Sequence, residues 1–93
     1  MARLEEQVIR ERLAGLDGWS REGDAIAKTF RFGTFPDAIA FVGRVAAEAE
    51  GAQHHPDMDI RYTRVALRLS THDAGGITVK DIDLATAIDG LSG

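Results

Sequence analysis

The chain has no cysteine among its 93 residues. That removes disulfide frameworks, thiolate zinc sites and cysteine nucleophiles together. A thiol-free chain is at home in a reducing compartment, and a cytoplasmic location is the expectation. Proline is scarce, with two residues, and aromatic side chains make up only 6%. No apolar run approaches the roughly 18–20 residues that span a bilayer, so no membrane association is expected. The N-terminal stretch MARLEEQVIRERL carries Glu5, Glu6 and Glu11 without an apolar segment, so it does not read as a secretory or transit signal. Positive charge is not in excess either. A net charge of −4 lacks the electrostatic footprint of a phosphate-backbone binder, and no nucleic-acid partner is expected.

What is present is ordinary globular material, 44% hydrophobic and 28% charged. The length suits a single domain over residues 1–93. A chain of this size buries only about 60–65% of the surface its unfolded form exposes, so oligomerisation is a reasonable expectation.

Periodicity divides the chain into seven elements. Residues 3–14 read as a short helix with Leu4, Val8, Ile9 and Leu13 at helical spacing, ended by Gly15 and Gly18. Trp19 to Glu22 and Ala25 to Phe32 read as a hairpin around Gly23-Asp24, with Ile26, Lys28, Phe30 and Phe32 on one face. Lys28 breaks the apolar pattern of that face. Thr34 offers an N-cap to a helix over about residues 35–50, with Pro36 and Asp37 in its first turn and Gly51 after its last. This helix carries two apolar stripes: Ile39, Val42, Ala46 and Ala49, and a second of Phe35, Ala38, Phe41 and Val45. One sheet covers one stripe well, so the second either widens the core-facing side or meets another subunit. Met58, Ile60 and Tyr62 alternate with polar residues, as do Val65, Leu67 and Leu69, predicting two half-buried strands around a tight turn near Thr63-Arg64. Thr78 caps a last helix running to about Asp89, with Leu84, Ala85, Ile88 and Leu91 inward. The order α-β-β-α-β-β-α, with alternating strands, predicts an α+β fold: a four-stranded antiparallel sheet with three helices on one face.

All three histidines fall between His54 and His72. Pro56 forces His55 into extended backbone, so the pair His54-His55 sits in a stiff turn entering the third strand. His72 lies at the far end of the fourth. Antiparallel neighbours place the start of one strand beside the end of the next, which brings His72 towards His54 and His55. Three separate surface histidines are the plainer alternative. Asp81 shares a face with Leu84, Ala85 and Ile88, where an acid is costly without a partner. Either it closes a capping box with Thr78, or it accepts a hydrogen bond from an imidazole and orients it; both can hold. Glu50 opposes the dipole at the end of its helix, which suggests a use other than stability, although a solvated glutamate is the simpler account. Trp19, the single tryptophan, is either core or a stacking wall for a flat heteroaromatic ligand.

The spaced set Glu50-x-x-x-His54-His55-Pro56, then Tyr62, His72 and Asp81, resembles the signature of pterin-4a-carbinolamine dehydratases. The resemblance spans most of the chain. Gly18-Trp19, Asp24-Ala25-Ile26-x-Lys28-x-Phe30-x-Phe32, Phe41 with Arg44-Val45-Ala46, Glu48-Ala49-Glu50 and Thr71-His72-Asp73-x-Gly75-Gly76-x-Thr78 look like that family. Met58 stands where the family often has an aromatic residue, and Ala74 where animal members often have cysteine.

The resemblance implies dehydration of a 4a-hydroxytetrahydropterin to the quinonoid dihydropterin, in support of tetrahydropterin recycling. It implies acid/base roles for His54 and His72, and substrate binding and polarisation by His55. It also implies a histidine-orienting Asp81, a supporting Glu50, and a pocket lined by Trp19, Pro56, Thr71, His72, Asp73 and Ala74. No metal or organic cofactor is implied, because the pterin's own nitrogen lone pair expels the hydroxyl. The partner is a small pterin, and the assembly a homodimer built by sheet-edge pairing or a homotetramer through the long helix, where the stripe Ala38/Phe41/Val45 suits packing. Two other readings compete. A metal module on His54, His55 and His72 is disfavoured, because adjacent histidines seldom direct both rings at one ion and Asp59 has no clear register. A non-catalytic dimeric partner-binding protein, or a transcriptional cofactor on the same fold, would not need the intact histidine set.

Overall fold

A computed structural model describes residues 2–92. The elements run α1 (Glu6–Ala14), β1 (Ser20–Glu22), β2 (Ala25–Arg31), α2 (Phe35–Ala52), β3 (Asp57–Arg61), β4 (Arg64–Leu69), a 3-10 turn (His72–Ala74) and α3 (Val79–Ser92). The strands form one antiparallel sheet in the order β1-β2-β4-β3. The expected α+β architecture and element order hold.

Register explains which residues make the core. Ile26 lies across from Leu69, Lys28 from Leu67 and Phe30 from Val65, so one face of β2 and β4 is continuously apolar apart from the lysine. Helices cover that face, and a single buried cluster joins Ile9, Trp19, Phe30, Phe41, Val45, Leu67 and Ile88. Lys28 fits because its stem runs along the core edge while its ammonium leaves it. Nζ donates to the Asp17 carbonyl at 2.8 Å and to Asp89 Oδ1 at 3.0 Å, and sits 4.8 Å from the Phe30 ring centre.

Four local expectations change. Residues 3–5 are not helical: the Leu4 N–H donates to the Ile77 carbonyl at 2.8 Å, a tertiary bond that outcompetes another helical turn. The long helix passes through Gly51 and ends at Ala52, because Gln53 takes the left-handed conformation (φ 53°) and its N–H closes on Ala49 and Glu50. β3 stops at Arg61, and the turn is Tyr62–Thr63 rather than Thr63–Arg64, with Tyr62 at φ 54°.

The fourth correction concerns α2. Its sheet-facing stripe is Ala38, Phe41, Val45 and Ala49, so the stripe assigned to a tetramer contact is core. The Phe41 ring packs 4.8 Å from Phe30 and 5.0 Å from Phe32, and this aromatic patch on the sheet selects the stripe. Phe35 and Ile39 are left exposed.

Candidate functional site

The site is built where α2 ends, β3 begins, β4 ends and α3 begins. Gln53 turns the chain out of α2, and His54 follows at once with its N–H bonded to the Ala49 carbonyl at 3.1 Å. That fixes the backbone from which His54 points under the first turn of α3. Its Nε2 lies 2.5 Å from Asp81 Oδ1. Asp81 is fully buried. Its other oxygen accepts from the Thr71 hydroxyl at 2.8 Å and from the Thr78 N–H at 2.9 Å. The Thr71 and Thr78 hydroxyls lie 2.8 Å apart, and Thr78 Oγ1 accepts from the Lys80 N–H at 3.2 Å. Both readings of Asp81 are therefore realised in one carboxylate. It bonds back to the helix-cap N–H, and it meets an imidazole.

With Asp81 as a carboxylate, which only accepts, the shared hydrogen sits on His54 Nε2, and Nδ1 of a neutral ring then keeps its lone pair. The buried side-chain nitrogens and oxygens of the described residues all have partners. The pairing lets a polar, ionisable side chain sit in the core.

The same network positions His72. Thr71 and Gly76 exchange N–H···O bonds at 2.9 and 3.3 Å, closing a loop whose crest is the 3-10 turn carrying His72. Gly75 sits at φ 72° and its N–H donates to the His72 carbonyl at 3.0 Å; a side chain there would be strained. His55, one residue beyond His54, points outward and its Nε2 meets Glu50 Oε1 at 2.5 Å, with both side chains largely in solvent.

His54, His55 and His72 line one open pocket of about 400 Å3, with Gln53, Ser70, Thr71, Asp73 and Lys80. Asp81 lies behind His54, and Glu50 holds His55 from the side. Pro56 and Ala74 flank the pocket in sequence without lining it. Trp19 is elsewhere: it is core, edge-on to Phe30, and its indole N–H donates to Asp89 Oδ1 at 2.9 Å. Asp89 is eight residues along α3 from Asp81, about 12 Å at the helical rise, so the ring stands well away from the histidines. Sequence reasoning missed Ser70, Gln53 and Lys80. Lys80 had a signal, since a cation in the first turn of a helix opposes the dipole. It lines a second hollow of about 300 Å3 as well, shared with His54, Glu48, Ala52, Asp83, Leu84 and Ala87. A larger hollow of about 670 Å3 beside α1 contains no histidine. Among the described residues no three His, Asp or Glu side chains converge as metal ligands do, and no helix is long and apolar enough to cross a membrane.

The fold is thus a small α+β domain that gathers three histidines at one pocket, with a buried aspartate behind His54. Comparison with known proteins narrows this to a family. Residues 2–91 match the family described as pterin 4 alpha carbinolamine dehydratase, and the chain belongs to it. A Roseiflexus sp. (strain RS-1) protein is 60% identical over 87 residues, covering 94% of each chain, and carries that assignment provisionally. A protein of Chloroflexus aurantiacus with the same provisional name is 58% identical over 93 residues, covering 100% of each. Among solved structures, a Brucella melitensis protein described as a transcriptional coactivator/pterin dehydratase superposes with a TM-score of 0.94 at 36% identity, covering 98% of this chain and 99% of that one. A pterin dehydratase-like protein identified as a RuBisCO assembly factor in the alpha-carboxysome shares the fold, with a TM-score of 0.68 at 24% identity, covering 81% of this chain and 87% of that one.

Proposed function

We propose that this chain dehydrates a 4a-hydroxytetrahydropterin by histidine acid/base catalysis. The C4a–O bond breaks and the hydroxyl leaves as water, carrying a proton supplied by one imidazole. The N5–H bond gives its proton to another imidazole, and the N5 lone pair forms the new double bond of the quinonoid dihydropterin. His54 and His72, which line the same pocket, exchange the protons, since an imidazole ring can serve either as general acid or as general base. His55, steadied by Glu50, binds and polarises the ring; Thr71 and Asp73 border it. Asp81 keeps the His54 ring in one tautomer. No metal or organic cofactor takes part in the scheme.

The observation that carries this reading is the convergence of all three histidines on one pocket, with His54 tied to a buried carboxylate. We place the protein in the cytoplasm, acting as a homodimer or a homotetramer in the recycling of a tetrahydropterin cofactor. The test is dehydration of chemically generated carbinolamine by the wild type and by each histidine variant. Loss of one general acid or base should lower the rate by roughly 10²–10⁴. A wild-type rate no better than that of a His54→Ala/His72→Ala double variant leaves a binding role instead. The description of the Brucella relative as a coactivator as well as a dehydratase is the observation that favours that second reading.

A further inference from the structure

The end of the sheet at the β3–β4 turn carries a charge pattern that the histidine pocket leaves unused. Register places Arg31 of β2 opposite Arg64 of β4, and Arg64 opposite Arg61 of β3. Phe30 and Val65, the next pair along, belong to the buried core. Alternation therefore sets the three arginines on the open face of the sheet, and all three are exposed. Neighbouring strands lie about 4.8 Å apart, so the row runs about 10 Å across the sheet.

Like charges directly opposite one another destabilise a sheet. This row puts two such meetings side by side, in a chain whose acidic residues outnumber its basic ones 15 to 11. Asp59 answers one of the three: Arg61 Nε lies 3.3 Å from both of its oxygens. Among the described residues no carboxylate pairs with Arg31 or Arg64. The next row along the sheet is Thr29, Ala66 and Asp59. Its short side chains leave a hollow of about 240 Å3 that Arg61 and Arg64 wall on one side. Two unanswered guanidinium groups beside a hollow suit an anion. Phosphate is the best match, because the planar fork of arginine meets its oxygens two at a time. The length of the anion is bounded as well. A net charge of −4 repels a long polyanion, whereas the attraction of the row is felt only within a Debye length of about 8–10 Å.

We propose that the row of Arg31, Arg64 and Arg61 binds a short oligophosphate, laid along the floor of Thr29 and Ala66. The shared chemistry is a chain of two or three linked phosphates, whether inorganic tripolyphosphate or the triphosphate of a nucleotide. The site is separate from the histidine pocket. Arg61 and Arg64 flank the β3–β4 turn, whereas His54 and His55 precede β3 and His72 follows β4. The four-residue step from Asp57 to Arg61 alone covers about 13–14 Å at the rise of a strand. The inference therefore stands apart from the proposed dehydration and is testable without turnover.

Calorimetric titration of the full chain with inorganic tripolyphosphate at low salt should show one site per chain that weakens as salt is added. Arg64→Gln should raise Kd about tenfold, the order of one lost charge-assisted hydrogen bond, and Arg31→Gln by a similar factor. Asp59→Asn should lower Kd severalfold, since it removes the carboxylate that competes for Arg61. Arg44→Gln, on the exposed side of α2, should leave Kd unchanged. Thermal unfolding gives an independent reading. Without phosphate, Arg64→Gln should raise Tm by a few degrees, because both cross-strand repulsions disappear. Tripolyphosphate should raise the Tm of the wild type and raise that of Arg64→Gln far less. ATP in place of tripolyphosphate separates the two sources. Equal or weaker binding identifies the phosphate chain as the whole ligand, tighter binding identifies a nucleotide, and both support the site. Absence of binding at low salt overturns it. So does a Kd that Arg64→Gln and Arg44→Gln raise alike, because that marks diffuse attraction to the whole surface.

Discussion

His54 and His55 are neighbours in the chain and opposites in surroundings. The His54 side chain is 10% exposed and rests on a carboxylate that is wholly buried; the His55 side chain is 62% exposed and meets a glutamate 73% exposed. Both contacts measure 2.5 Å, so distance alone does not separate them. Environment does. In the interior a lost partner leaves a polar group without water to replace it, whereas at the surface water takes over and the net worth of an ion pair is about 0–1 kcal/mol. One histidine is therefore held by the fold, and the other is free to follow a ligand. The pocket therefore combines one buried imidazole with two exposed ones on its open side, which under the proposed mechanism holds one proton-transfer partner in place while the others meet the substrate.

The contrast is broken most severely at Asp81. Asp81→Ala strips a partner from His54, Thr71 and the Thr78 N–H at once. We expect about 3–5 kcal/mol of lost stability, as for other buried pairs cut on one side, read as a fall in Tm of about 12 °C or more. An unchanged Tm shows that the cluster does not support the fold. His54→Ala comes next, and it separates the two histidine types. It should lower the dehydration rate by roughly 10²–10⁴ and also lower Tm, because Asp81 is left without its imidazole. His72→Ala, on the exposed turn, should cost a similar factor in rate with no loss of Tm. Equal Tm losses for both refute the distinction.

Much of this arrangement was readable from spacing. Alternation in Val65, Leu67 and Leu69 placed β4, the antiparallel rule brought His72 towards His54, and the acid on an apolar helix face marked Asp81. The strands and the cluster were legible because period and turn chemistry are local. The misassigned stripe of α2 was not: which apolar stripe faces inward depends on the ring patch that Phe30 and Phe32 present from another element. Trp19 fails in the same way, since its place beside Phe30 and Asp89 is set by the end of a helix 70 residues away in sequence. Gln53 and Tyr62 were invisible because non-glycine residues at positive φ carry no compositional mark.

Thr71→Val gives a smaller effect and refines the comparison within the buried side. It keeps the shape and removes one donor to Asp81 Oδ2, which retains the Thr78 N–H. About 1 kcal/mol of stability should go, with a partial loss of kcat rather than of substrate affinity. A change confined to KM contradicts an orienting role transmitted through His54.

The smallest effect is expected at the exposed pair. Glu50→Gln preserves size and hydrogen bonding but removes the charge that faces His55. Stability should stay within about 1 kcal/mol of the wild type, because solvent already screens both groups. Any change should appear in KM and diminish with added salt, since a surface charge acts through a screened field. Asp81→Asn in the same salt series is the matching control: its defect should persist, because the buried side chain is shielded from ions. If the two variants respond to salt alike, the difference between the buried and the exposed histidine is one of position and not of electrostatic environment.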